Sequence, residues 1–379
     1  MKARTVVLIV FILILAGAGV WYYRSQRPQP TARPVGAPVT LEVPLGLPPV
    51  PIPQDNPPTA ATIALGRRLY YDPILSVDNT IACSSCHHPE FGFADPKPFS
   101  AGVGGKLGGR NAPTVINAAY FTTQFWDGRA PSLEKQAEGP VQNPVEMAHT
   151  LEGAVEKLQN HPDYPALFRE AFGTDRITYE MAERAIASFE RTVINANSPF
   201  DRWFYGGDET AVSAAAKRGF EVFRDPQKGN CAVCHTVGEN FALFTDNKFH
   251  NLGVGVTYTT TGEPEFSDLG RYEVTKNEAD KGAFKTPTLR SVALTAPYMH
   301  DGSLATLKDV IDFYVGGGNS NSNLDENIHA LVDLTGQERE DLLAFLESLT
   351  GEFVYEVSPP DAVKEAAERT KPRPPKTKQ

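Results

Sequence analysis

Cys83-Ser84-Ser85-Cys86-His87 reads Cys-x-x-Cys-His, and Cys231-Ala232-Val233-Cys234-His235 repeats the pattern 148 positions later. Two thiols three positions apart meet the two vinyl groups of one porphyrin as thioethers. The histidine that follows then lies under the ring and ligates the iron. The two motifs use all four cysteines, so none remains for a disulfide. The competing readings are a zinc knuckle and a redox dithiol. Zinc wants four clustered ligands, and neither motif has a second Cys or His pair at ligand spacing. The chain is therefore read as holding two covalent haem c groups. Cys83, Cys86, Cys231 and Cys234 attach them, and His87 and His235 ligate the irons.

At 379 residues the chain has room for two domains, and 41% hydrophobic with 22% charged residues is an ordinary globular composition. A formal charge of −10 and the lack of a basic run argue against a nucleic-acid partner. An acidic surface can steer a basic redox partner, though it also serves solubility alone. Haem attachment to cytochrome c takes place outside the cytoplasmic membrane, so the motifs predict export.

The N-terminus agrees. Lys2 and Arg4 precede an apolar run from Thr5 to Tyr23, which as a helix spans ~28 Å, about one bilayer core. Trp21, Tyr22 and Tyr23 close it as an interfacial belt would, and Arg24 and Arg27 follow. Residues 1–27 are read as an uncleaved anchor, with cleavage at Ala16-Gly17-Ala18 as the alternative. Either places the remainder on the periplasmic side of a bacterial inner membrane. Eleven prolines fall within residues 28–58, which read as an extended stalk reaching ~95 Å.

The expected fold is mainly α: two cytochrome c-like helical domains, one haem each, with long loops packed between them. The first covers residues 59–208 and the second 209–355, with the boundary at Gly206-Gly207-Asp208. Thr59 to Tyr71 and Ala211 to Arg224 are helices entering the two motifs, a weak internal repeat. Leu151, Val155 and Leu158 share a helix face, as do Ile177, Met181, Ala185, Phe189 and Val193. Thr306 to Asp309 opens a helix that Gly316-Gly317-Gly318 ends, and Thr335 to Glu338 is a capping box opening another. Residues 356–379 read as a disordered tail. Five glycines between Gly102 and Gly109 lack the strand and the Gly-Lys-Ser/Thr of a phosphate loop, so they read as a loop beside the haem.

Between the motifs stand Arg110-Asn111-Ala112-Pro113-Thr114, Phe125-Trp126-Asp127-Gly128-Arg129, Gln136, Pro140, Asn143-Pro144 and Glu146. Later come Lys285-Thr286-Pro287-Thr288-Leu289-Arg290 and Leu294 to Gly302. With the haem motifs these segments resemble the bacterial di-haem cytochrome c peroxidase and MauG superfamily over about residues 59–349. The resemblance implies that the N-terminal haem reacts with hydrogen peroxide and the C-terminal haem takes in or stores electrons. It makes Glu146 the acid/base carboxylate of the distal pocket, with Gln136 and Pro140 lining it, and Trp126 the bridge between haems. It places a calcium ion between the domains at Asn111 and the main-chain carbonyls of Thr295 and Pro297. From the residues alone, Asn143, Pro144 and Glu146 also fit N-cap, N1 and N3 of a helix. Trp126 also fits plain core.

Two positions depart from the gated members of the family. Where those carry a distal histidine in the glycine loop, this chain has Val103, and no histidine occurs between His88 and His149. An open sixth site on the first haem is expected. Where they carry a ligand methionine, fourteen residues after the position of His300, this chain has Tyr314, as in the MauG branch. Tyr314 is the expected far ligand of the second iron, with Met299 as the alternative. A phenolate would make that haem a poor acceptor and a better store of oxidising equivalents.

The leading expectation is a peroxidase of the cytochrome c type, drawing electrons from a small donor such as a cytochrome c or cupredoxin. The alternatives are a MauG-like oxidase, which uses peroxide-derived high-valent iron to modify a side chain of a partner protein, and a non-enzymatic di-haem electron carrier. A homodimer is compatible with each.

Overall fold

Thr59 opens the first helix of the folded body. Its hydroxyl accepts from the Thr62 amide, and the Thr62 hydroxyl accepts from the Thr59 amide. The computed structural model describes residues 32–370. The run read as a membrane anchor lies outside them. Among the described residues no helix is long and apolar enough to cross a membrane.

In chain order the helices are α1 Ala60–Tyr71, α2 Leu133–Gln136, α3 Glu138–Gln142, α4 Leu151–Asn160, α5 Tyr164–Phe172 and α6 Tyr179–Glu190. There follow α7 Pro199–Phe204, α8 Ala214–Arg224, α9 Tyr272–Thr275, α10 Leu307–Val315, α11 Gly336–Glu347 and α12 Asp361–Thr370. The strands are β1 Asn195–Ala196, β2 Phe249–Asn251, β3 Val256–Tyr258, β4 Pro264–Phe266, β5 Ala283–Lys285 and β6 Glu352–Phe353. Among the described residues they pair two by two and antiparallel, β1 with β6, β2 with β5 and β3 with β4. Long irregular segments join these elements in a mainly α architecture.

The two halves use one device. α1 packs on α6, and α8 packs on α11. At each crossing a glycine admits the partner backbone. A Cβ on Gly66 would stand 1.8 Å from the Ala185 carbonyl oxygen, and one on Gly219 would stand 1.9 Å from that of Asp341. Each helix pair leads into a haem motif, which gives the weak repeat a physical form. The first core gathers Tyr70, Tyr71, Phe93, Ile116 and Phe189, with Cys83 against it. The second gathers Phe200, Phe220, Phe223, Phe244 and Phe345, with Cys231 against it.

Four expectations need correction. The proline-rich segment, described from Ala32, is not a free stalk. The Val35 amide donates to the Ala171 carbonyl (2.9 Å), the Ala242 amide to Gly46 (3.1 Å) and the Tyr120 hydroxyl to Pro48 (2.9 Å). Leu47 and Val50 are buried. An extended backbone has no internal partners for its carbonyls, so donors of the body claim them. The tail is not disordered over its described part, because α12 forms, Val357 is buried and Val363 packs on the first core. The boundary at Gly206-Gly207-Asp208 falls after α7, yet Phe200 of α7 belongs to the second core. Finally, Asn143 caps the end of α3 rather than the start of a helix, and Glu146 sits in the turn that follows. The next helix, α4, opens instead at Thr150.

Candidate functional site: two haem-attachment sites

Both motifs fold as the same short turn. The His87 amide donates to the Cys83 carbonyl (3.0 Å) and the His235 amide to the Cys231 carbonyl (2.9 Å). Each imidazole is then oriented by main-chain carbonyls. His87 Nδ1 lies 3.0 Å from the Pro113 oxygen and 3.3 Å from that of Phe93, and His235 Nδ1 lies 2.9 Å from the Phe244 oxygen. A carbonyl on Nδ1 fixes the tautomer with its proton there and leaves Nε2 with a lone pair for a metal. Burial lowers the pKa of both imidazoles, which favours the neutral ligand form. Burial also pushes the Cys86 thiol up to about 11 and the Cys231 thiol up to about 12. The donor set therefore fits a haem at each motif: paired thiols, then a neutral imidazole with one nitrogen free.

Glu146 lies near the first motif. Its charge acts on both Cys83 and Cys86. Burial raises its pKa, opposed by a hydrogen bond from Asn143 and by the charge of Arg129. Asn143 Nδ2 donates to Glu146 Oε1 at 2.6 Å, and the Met147 amide donates to Pro140 (3.1 Å), drawing the turn against α3. Gln136, half-buried at the end of α2, is not a hydrogen-bond partner of Glu146 in the described structure. The Val103 amide donates to the Glu146 main-chain oxygen (2.8 Å), so the glycine loop is fastened to this turn. Glu190, fully enclosed near Cys83, was not singled out in the sequence; burial pushes its carboxyl up to about 8.

The segment around Trp126 is built by its own charges. Asp127 accepts from Arg110 (2.6 Å) and Arg129 (2.9 Å), and Arg110 also grips Asp268 through two bonds. Arg129 lies over the Phe125 ring at 3.5 Å. Trp126 Nε1 donates to the Asn111 oxygen (2.9 Å), and Trp126 borders the cavity of the second motif. Pro113, whose carbonyl orients His87, borders that same cavity. One short stretch, Asn111 to Pro113, thus touches the first site's ligand, the tryptophan and the second site.

That second cavity is walled by Cys231, Cys234, His235, Leu307, Ile311 and Leu346, and by both Tyr314 and Met299. Burial raises the pKa of the Tyr314 phenol, with the Cys231 and Cys234 sulfurs adding to it. Tyr314 on α10 shares the wall of this cavity with both attachment cysteines. Asn111, Thr295 and Pro297 also line this cavity; Asn111 Nδ2 donates to the Lys97 carbonyl (2.9 Å), and carbonyl oxygens of such residues are donors that suit a hard cation. The Cys234 sulfur, Asp246 and His250 offer ligand atoms within 4.8 Å of one another. Thioether formation would remove the thiolate from that set, and His250 is already held between Asp246 (2.9 Å) and Asp325 (2.6 Å).

Residues 60–210 match the family model described as di-haem cytochrome c peroxidase. The chain is 40% identical over 306 residues to the methylamine utilization protein MauG of Methylorubrum extorquens, covering 80% of this chain and 82% of that one. It is 36% identical over 313 residues to the cytochrome c551 peroxidase of Nitrosomonas europaea, covering 82% and 87%. Its fold is similar to the crystal structure of a MauG-like protein associated with microbial copper homeostasis, with a TM-score of 0.74 and 33% identity over 82% of this chain and 95% of that one. On this likeness and on its two motifs, the chain belongs to the di-haem cytochrome c peroxidase and MauG family and is an oxidoreductase of the peroxidase type.

Proposed function

We propose that the protein reduces hydrogen peroxide to water at the haem held by Cys83, Cys86 and His87. Electrons reach it through the haem held by Cys231, Cys234 and His235, from a small redox protein. The observation that carries this reading is the Glu146 carboxyl, part-buried and within electrostatic reach of both Cys83 and Cys86. When bound, haem iron supplies the site at which peroxide is activated and oxidising equivalents are held. The overall reaction takes one peroxide, two protons and two electrons to two waters. Glu146 accepts the proton that peroxide gives up on binding and returns it to the departing oxygen. Asn143 aims the carboxylate, and burial keeps its affinity for the proton above that of an exposed glutamate. Trp126 and the Asn111–Pro113 stretch form the path between the sites. An inter-domain calcium at Asn111, Thr295 and Pro297, and a periplasmic location, are further parts of the proposal.

A reduced cytochrome c or cupredoxin mixed with the holoprotein and peroxide should be oxidised with two electrons per peroxide, followed at the donor's absorbance band. A protein with both haems that consumes peroxide yet oxidises neither donor would instead fit the second reading, a MauG-like oxidase acting on a side chain of a partner protein. Val103 at the loop position and Tyr314 beside the second motif favour that second reading.

Tyr314 is proposed as the far ligand of the second iron. Tyr314→Phe should raise the reduction potential of that haem by a sizeable part of the ~0.8 V that axial ligands span. Met299→Ala should leave its spectrum unchanged. The opposite pattern, with ligation lost in the alanine variant alone, would assign the ligand to Met299.

A further inference from the structure

The wall of the second cavity is unbalanced in charge. Among the described residues it contains Lys285 and four histidines, but no aspartate, glutamate or arginine. Lys285 ends β5 and is 7% exposed. Its amide donates to the Trp126 carbonyl at 2.8 Å, and its Nζ lies 3.6 Å from the centre of the Phe121 ring.

Four of the acids near this wall are engaged elsewhere. Asp127 and Asp268 hold Arg110, and Asp246 and Asp325 hold His250. Burial alone pushes the Lys285 ammonium down to about 7, with no carboxylate opposing it. An aromatic face returns only part of what a cation loses on leaving water. His300 Nε2, in the same wall, is buried without a partner. A cavity that encloses a cation and provides no anion is built to receive the anion with its ligand.

We propose that Lys285 is the counter-charge for a propionate carboxylate of the haem attached at Cys231 and Cys234. The inference rests on the reading that this haem fills the cavity. Haem brings two carboxylates on the edge opposite its vinyl groups. Thioethers fix the vinyl edge at the cysteines, so the carboxylates must find partners away from them. Pairing of β5 with β2, with Lys285 opposite Phe249, sets the direction of the side chain. The bond from the Lys285 amide to the Trp126 carbonyl ties this strand to the backbone of the tryptophan segment, which borders the same cavity. Lys285 is thus a positioning residue, acting on the haem's charge rather than on peroxide.

Lys285→Met keeps the length of the stem and removes the charge. Both haems should still attach, as counted by protein mass. Loss of a cation beside the second haem favours its more positive ferric form. Its reduction equilibrium should fall about tenfold, which is about 59 mV for one electron. The first haem should not move, and Lys285→Arg should restore the second. An unchanged second-haem potential in a Lys285→Met protein carrying both haems overturns the proposal. Should that variant lose a haem or fail to fold, a crystal structure of the wild-type holoprotein decides. A propionate oxygen within ~3 Å of Nζ supports the pair, and Nζ facing only Phe121 or water refutes it. Titrating the wild-type holoprotein with acetate at constant ionic strength should not shift the potential. A saturable shift would mean that the amine takes free carboxylates, which also overturns the proposal. A protein whose mass lacks two haems would defeat the underlying reading instead.

Discussion

Replacing Glu146 with glutamine is expected to lower peroxide turnover by about 10²–10⁴-fold, the usual contribution of a positioned acid/base group. The amide keeps the shape of the side chain and can hydrogen-bond with Asn143, but it cannot carry the proton between the peroxide oxygens. Haem content and the spectrum of the second haem should be unchanged. The pH profile gives an independent check. Burial raises the Glu146 pKa above its ordinary value of 4.5. The ionised base is therefore lost as pH falls through that raised value, and the acid limb of the activity profile should lie above that of an exposed glutamate. That limb should vanish in the glutamine variant. Stability should run the other way. A carboxyl whose pKa is raised by folding favours the folded state at low pH, and that contribution is lost as pH rises through the raised value. At neutral pH the variant should be no less stable than the wild type. Steady-state donor oxidation across pH, set beside thermal unfolding, measures both. Turnover within threefold of the wild type would remove Glu146 from the chemistry.

Arg290→Met is expected to destabilise the protein by about 3–5 kcal/mol, the cost of leaving one member of a buried ion pair alone. Arg290 and Asp201 are 1% and 0% exposed at their side chains and meet at 2.9 Å. The guanidinium also donates to the Ala242 carbonyl (2.7 Å) and to the Gly46 carbonyl. One side chain thereby ties together α7, the loop after the second haem motif and the docked N-terminal segment. The melting temperature of the holoprotein should fall by roughly 10 °C. Arg290→Met combined with Asp201→Leu should recover much of the loss, because neither member of the pair is then left as a buried charge without its partner. A single variant that melts like the wild type would show that water reaches Asp201 and satisfies it.

What could be read in advance follows from how local each signal is. The Cys-x-x-Cys-His turns depend on five consecutive residues. The helix start at Thr306 to Asp309 and the capping box at Thr335/Glu338 depend on four, and both form as read. Asn143 shows the limit of such rules. Its side chain does accept from the Val145 amide (3.2 Å) and bond to Glu146, but the preceding residues already form α3, so the same pattern closes a helix instead of opening one. The docked segment before Thr59 was out of reach for another reason. Proline content reports a stiff, extended backbone and not whether Arg290, Tyr120 or the Ala242 amide will find its carbonyls. α12 was missed likewise, since a Lys- and Glu-rich composition cannot reveal that Val357 and Val363 meet Tyr71 and Phe93's core. Arg290 and Lys285 stood in a recognised motif, yet their burial depends on contacts far away in the chain.

The bond from the Val103 amide to the Glu146 carbonyl bears on how quickly the protein can respond to an oxidative burst. Any swing of the glycine-rich segment would have to break this bond or move the backbone of Glu146, the proposed proton carrier, with it. With this segment fastened there and Val103 in place of a histidine, the proposed site needs no priming step, so its progress curve with peroxide should rise with no lag.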